Sequence, residues 1–226
     1  MNGMKRPFAA GCALVGALLY SITALAVDGV VLIDQNKVFA GNVTPGDVPG
    51  FPVSINQPGS YRLASNLTVP GGLNGIEINV DGVNLDLNGF AIIGPGVFPN
   101  GAFSAVAAND RQRTYLGNGN ISGFVIGITM GGSSRFMRVE KLQIDALTRT
   151  AAGTVVGGGA AIIGRDRASQ AVVSEVQAIG QIQITCPGLV RNTVASIVET
   201  KVPPDGSGVS FPTICRGDNV IAAPFN

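Results

Sequence analysis

The sequence predicts an all-β fold, and within that class a solenoid, a parallel β-helix, on three observations. Apolar and polar residues alternate in bursts of roughly 4–9 residues, as in 75–80 (GIEINV) and 83–89 (VNLDLNG), the pattern of half-buried strands. Gly, Asn, Asp or Pro punctuates every burst, and the chain carries 32 glycines against only 13% charged residues. Helical periodicity is missing beyond the first segment, while the bursts recur in related pairs, which favours a solenoid over a sandwich or barrel.

The first segment stands apart. Lys5 and Arg6 precede an apolar run from Phe8 to Leu25, and Ala24-Leu25-Ala26 supplies small residues at its end. This is the layout of a secretory signal peptide cleaved after Ala26, and it predicts a secreted or periplasmic protein. The run is at the lower limit for a membrane anchor. Cys12 falls near the start of the apolar run instead of ending it, which argues against lipidation. Residues 1–26 are thus expected to leave, 27–60 to form an N-terminal cap, and 61–226 to form the β-helix. The remaining chain suffices for one domain with a sizeable core.

Two of the 15 basic residues lie in that segment, so 13 remain against 14 acidic ones. A near-neutral chain without a basic cluster offers no footprint for a phosphate backbone, and no nucleic-acid partner is expected. There is no His. Its absence removes the usual general base, the Ser-His-Asp and Cys-His arrangements and the common zinc sites. Gly157-Gly158-Gly159 has no following Lys-Ser/Thr and reads as a flexible stretch instead of a phosphate loop.

Further bursts lie at 121–130, 139–144, 160–163, 171–179, 181–186, 189–197, 209–215 and 219–222. Ile121 with Leu142, and Thr193 with Val220, recur at roughly 20–30 residues, a length suited to one coil. The motif Arg191-Asn192-Thr193-Val194 returns as Asp218-Asn219-Val220-Ile221, which makes Asn192 and Asn219 candidates for a stacked Asn ladder. Gly89, Gly94, Gly123, Gly127 and Gly180 are expected at corners that need positive φ. In 83–88, Val83, Leu85 and Leu87 point one way and Asn84, Asp86 and Asn88 the other.

Particular motifs carry a resemblance. Pro58-Gly59-Ser60-Tyr61-Arg62-Leu63, Ser65-Asn66-Leu67-Thr68-Val69-Pro70, and Val83 to Phe90 followed by Ile92-Ile93-Gly94 resemble the opening coils of bacterial secreted right-handed parallel β-helix proteins of the pectate-lyase-like superfold. Asn120-Ile121-Ser122-Gly123-Phe124 and Cys186-Pro187-Gly188-Leu189-Val190 look like later coils of that group. The resemblance spans roughly residues 30–222 and implies a fold, since the superfold hosts many chemistries and many members have no assigned activity.

Solenoid ends expose unpaired edges. Pro45, Pro49, Pro52 and Pro58 suit the cap, and Pro203-Pro204, Pro212 and Pro224 suit the other end. If 181–186 and 209–215 were neighbouring rungs, Cys186 and Cys215 would lie about 5 Å apart, within disulfide range. A bridge between them is expected in an exported chain.

The residues that could carry chemistry form a surface row. Asn84-x-Asp86-x-Asn88-Gly89 imitates an EF-hand start, yet Pro95 stands where a bidentate Glu is required. If 87–90 stacks on 121–124, Asp86 lies beside Asn120 and Asn88 beside Ser122, with Gln143 and Asp145 on the next coil. This polar face, Asp86, Asn88, Asn120, Gln143 and Asp145, is the expected binding surface for a polysaccharide or the cell envelope, without catalysis and without cofactor or metal. The alternative is a polysaccharide lyase acting on an acidic polymer. Calcium would then be held by carboxylates of the row, with Arg138, Lys141, Arg165 or Arg167 as the basic group. Arg165-Asp166-Arg167 reads more simply as a solvated turn. A third reading is an assembly module whose flat faces pack into oligomers; the sequence fixes no oligomeric state.

Overall fold

The computed structural model describes residues 29–96, 103–149, 155–164, 171–185, 189–195, 197–201 and 219–221. Strands as short as these are stable only when paired on both sides, and they are gathered into two long sheets. The first runs through Val31–Ile33, Gly59–Leu63, Val83–Asp86, Tyr115–Ser122, Arg138–Asp145, Val172–Ile179, Thr193–Ala195 and Asn219–Ile221, with Ala91–Ile93 and Leu189–Arg191 alongside. The second runs through Val53–Ile55, Ile76–Ile78, Ser104–Ala107, Ile126–Met130, Ala160–Gly164, Gln181–Thr185 and Ile197–Lys201. Pairing within both is parallel.

A parallel neighbour cannot be reached through a tight turn and needs a crossover. Here each sheet's strand serves as the other's crossover: Tyr115–Ser122, Ile126–Met130, Arg138–Asp145, Ala160–Gly164 and Val172–Ile179 fall alternately in the first and second sheets. The protein is therefore all-β with long parallel sheets, an arrangement compatible with a parallel β-helix.

Alternation along each strand sends one row inward. Val83, Leu85 and Leu87 are buried while Asn84 and Asn88 are exposed, as the sequence predicts. Ile92, Ile121, Ile144 and Ala178 stand in register on successive circuits. Together with Leu85 and Leu87 they belong to one continuous buried cluster. Each buried aliphatic side chain contributes about 1.5–3 kcal/mol, so the shared column outweighs the weak stability of any single pair of strands.

The register differs from the expected stacking of 87–90 on 121–124. Asp86 lies opposite Gly117, and Ile92 lies opposite Ile121. The reason is a turn. Asn88 and Gly89 are both left-handed (φ 53° and 78°), and the Phe90 N–H donates to the Leu87 carbonyl at 2.8 Å. The strand after this turn, not the residues before it, carries the chain onto 120–122. Ile121 likewise pairs with Ile144 and not Leu142. Near the end Thr193 pairs with Asn219, so Val194 meets Val220 and Asn192 and Asn219 form no ladder. A different column replaces it. Asn88, Asn118, Lys141, Glu175 and Asn192 are all left-handed, with φ between 47° and 65°, at the bend of successive first-sheet strands.

Gly89, Gly123 and Gly180 have the positive φ expected of corners, whereas Gly94 and Gly127 do not. These two are needed for close approach. A Cβ on Gly127 would stand 2.5 Å from the Ala161 carbonyl oxygen, and one on Gly94 would strike the Gly123 backbone. Gly157 and Gly158 are not a loose stretch either. They pair antiparallel with Thr148 and Leu147 in the hairpin of Leu147–Arg149 with Val155–Gly158.

The described residues 29–60 give the first strand to each sheet and add the helix Gln35–Ala40, which buries Val38 at the open end. Asp34 caps this helix by accepting the Lys37 N–H at 2.8 Å, a favoured N-cap arrangement. The outer edge of Val53–Ile55 is closed by side chains. The buried Asp47 carboxylate accepts the Ser54 N–H at 2.7 Å and the Val43 N–H at 3.0 Å. The Thr44 hydroxyl donates to the Ser54 carbonyl and accepts the Asn56 N–H. Gln35 treats Leu67–Thr68 as a strand would, accepting the Thr68 N–H and donating to its carbonyl.

The signal segment, Cys186, Cys215, Arg165, Arg167 and the late prolines lie outside the described residues. The strand before Cys186, Gln181–Thr185, has Ala160–Ile163 on one edge and Ile197–Lys201 on the other. The adjacent place expected for 209–215 is thus filled by 197–201.

Asp47→Ala removes two hydrogen bonds to a buried carboxylate and uncovers the sheet edge. We expect a loss of about 2–4 kcal/mol in urea unfolding followed by circular dichroism, since hydrogen bonds to charged groups contribute about 1.5–3 kcal/mol each. A midpoint equal to that of the parent chain would contradict this role.

Candidate functional site

Because inward residues are fixed by the core, the first sheet's other row faces solvent, and parallel pairing brings like positions together at about 4.8 Å. Beyond the left-handed column, Asn120, Gln143 and Gln177 are successive partners in register. Ser122, Asp145 and Ile179 form the next such line. The two lines border a groove of about 480 Å³, which Val194 closes at one end. Three of the five row residues expected from the sequence, Asn120, Gln143 and Asp145, therefore meet here. Gln177 and Ser122 join them.

Asp86 and Asn88 do not. Asp86 is in register with Gly117, and Gly117 with Glu140, whereas Asp145 lies five positions further along the strand that holds Glu140. The Asp86 Oδ1 accepts the Asn88 N–H and the Asn118 side-chain amide, at 2.7 and 3.0 Å. Asn88 donates its own amide to the Leu63 carbonyl. Asn88 is thus a bend residue, and Asp86 belongs to a second groove on the near side of the column.

That second groove, about 490 Å³, is lined by charged and phenolic groups that include Arg62, Asp86, Tyr115, Glu140 and Lys141. Asp86 pairs with Arg62 at 3.0 Å, and Glu140 with Arg138 at 2.6 Å. Gly117 is the floor between the two carboxylates. A Cβ there would stand 2.6 Å from the Tyr115 hydroxyl, so only glycine lets the phenol lie across the gap. Burial first, then the charge of Glu140 and a hydrogen bond to it, then Asp86, push the Tyr115 hydroxyl above its ordinary pKa, against the opposing pull of Arg138. Burial raises Tyr61 as well. The sequence marks Arg138 only as a lyase base and does not group it with Tyr115. Their grouping depends on a register that unequal circuits conceal.

What can this face do? Amide and hydroxyl groups at strand spacing can exchange hydrogen bonds with a polyhydroxylated chain. For a calcium-assisted elimination the carboxylates would have to converge, and Asp86 and Asp145 are held in separate grooves. Among the described residues, no three His, Cys, Asp or Glu side chains are grouped to hold a metal ion.

A raised pKa means that the fold favours the protonated phenol. Its stabilising contribution is complete below pH 10, the ordinary value, and is lost as pH climbs through the higher folded-state value. Tyr61 and Tyr115 are the only tyrosines after residue 26, and there is no Trp. In the ultraviolet titration of a chain starting at Val27, both phenols should ionise above pH 10 when folded and near it in urea. Glu140→Gln should lower the Tyr115 step. Superimposable folded and unfolded titrations would refute the proposed coupling.

No family model, no curated protein and no solved structure matches this chain.

Proposed function

We propose that the chain is an exported right-handed parallel β-helix that binds a polysaccharide along the outward face of its first sheet, without catalysing a reaction. The observation that carries the reading is the in-register line Asn120, Gln143 and Gln177, flanked by Ser122 and Asp145. Repeated polar groups at a fixed spacing of about 4.8 Å suit a repeating ligand better than a single small molecule. The apolar edges supplied by Ile179 and Val194 offer contact for sugar ring faces. Right-handed winding is supported by the alternation of strands between two parallel sheets, since crossovers of this kind are right-handed in about 98% of cases. Export is supported by the Lys5-Arg6 head, the apolar run and Ala24-Leu25-Ala26.

Asp86 is separated from Asp145, and Asp86 and Glu140 are each taken up by an arginine, Arg62 and Arg138, which favours binding over elimination. The test is a glycan array probed with the chain recovered from the exported fraction and shown by mass to begin at Val27. Gln143→Ala should weaken binding at least five-fold, about 1 kcal/mol, with an unchanged unfolding midpoint, because the side chain is exposed. Recovery of only an uncleaved internal chain would count against export. An array without any binding would remove the glycan reading, and affinity indifferent to Gln143→Ala would remove the groove as its site.

A further inference from the structure

One corner of the first sheet is built in a way that its fold does not require. Gln112 and Arg135 form a parallel bridge, and the Arg113 N–H donates to the Arg135 carbonyl at 3.1 Å. This register sets Arg113 opposite Phe136. Gly82 precedes them in the same column, its carbonyl and N–H tied to Gly59 and Gln112. All three are left-handed, at φ 73°, 54° and 54°. Glycine takes that conformation freely, but for Arg and especially Phe it is strained. Yet Phe136 is 54% exposed and adds nothing to the core. A strained, exposed aromatic at a rigid corner calls for an explanation outside packing.

The corner is held firmly from below. The buried Ser134 hydroxyl lies within hydrogen-bond distance of the Ala108 and Gly131 carbonyls and accepts the Arg111 N–H. Asn109 accepts the Gly131 N–H, Asp110 the Ser133 N–H and Asp81 the Gln112 N–H. Arg111 spends its guanidinium on the Asn79 and Asn109 carbonyls. The neighbouring acids are thus occupied in shaping the loop.

From this corner one strand segment continues toward the charged groove with Arg135, Phe136, Arg138 and Lys141 all exposed. Arg138 is paired with Glu140. Among the described residues, Arg113, Arg135 and Lys141 make no ion pair. The result is a strip of four cations, Arg113 and Arg135 at the corner beside the exposed Phe136 ring and Arg138 and Lys141 further along the strand, with the nearly buried Glu140 held by Arg138 within it.

We infer that this strip binds a linear anionic polysaccharide, its carboxylate or sulfate groups on Arg113, Arg135 and Lys141 and a sugar ring face on Phe136. Guanidinium forks match either oxyanion in bidentate geometry. Nucleic acid would meet the same cations, so single-stranded DNA is the competing polyanion in the test. The choice of a polysaccharide rests on the glycan reading of the sheet face; the anionic character rests on the strip alone.

Asn is the benign replacement, because Asn88, Asn118 and Asn192 already occupy left-handed positions in this fold. Affinity electrophoresis of the purified chain would use gels containing heparin, alginate, uncharged dextran or single-stranded DNA. Heparin or alginate should retard the chain more than dextran, and added salt should weaken the effect. The variant Arg113→Asn/Phe136→Asn/Lys141→Asn should keep its unfolding midpoint and lose at least ten-fold in affinity for the charged polysaccharides, with dextran unchanged. Preference for heparin over alginate would assign sulfate, and the reverse would assign carboxylate; either supports the inference. Equal retardation by dextran, undiminished binding in the triple variant, or stronger retardation by DNA would overturn it. Gln143→Ala separates the two readings: if it leaves every gel unchanged while the triple variant abolishes retardation, the groove reading falls and the strip stands.

Discussion

Parallel in-register pairing is the constraint on which everything else rests. Ile92, Ile121, Ile144 and Ala178 stand one above another because each strand pairs with its neighbour at one fixed alignment. A shift of one residue would turn every aliphatic side chain outward and every polar one into the core. Burial therefore enforces the register. The register in turn brings Asn120, Gln143 and Gln177 into line, although nothing in their own chemistry holds them there. The polar face is a consequence of the apolar one.

Much of this was legible in the residues. Alternation in 83–88 marks which side chains are buried, and Val83, Leu85 and Leu87 are indeed inside. The all-β class follows from the same pattern. What alternation cannot supply is the number of residues between one strand and its partner. The expected stacking of 87–90 on 121–124 keeps the small and aromatic residues matched, but it overlooks that Asn88 and Gly89 form a turn of their own. The shift separates Asp86 from Asn120 and moves it beside Gly117. Similarly, matching Asn192 to Asn219 aligns the more recognisable residue type, whereas the strands align Val194 with Val220. Local similarity between polar residues is a weak guide where the core sets the alignment.

The left-handed columns were illegible for a different reason. Glycine and asparagine advertise such positions, but Lys141, Glu175, Arg113 and Phe136 adopt them without any local signal. Lys141, Glu175 and Arg113 are held there by pairing on both sides and Phe136 by the neighbouring Arg113 segment, so the conformation is a tertiary effect. These columns divide the outward face into an amide groove, a charged groove and a basic corner. The sequence shows these only as scattered polar residues. The first strands' outer edge is similarly closed by ordinary residues in particular places: Asp47, Thr44 and Gln35 supply side-chain groups where a further strand would supply backbone.

Thiol cross-linking reads the register most directly. In the chain carrying Asn120→Cys and Gln143→Cys the two positions are direct partners, at about 4.8 Å between Cα atoms and inside the range that a disulfide spans. Mild oxidation followed by peptide mass mapping should find these two introduced thiols joined. The chain carrying Asp86→Cys and Asn120→Cys should show no such link, because Asp86 is opposite Gly117. A link in the second chain and none in the first would contradict the alignment on which the core and the polar face both depend.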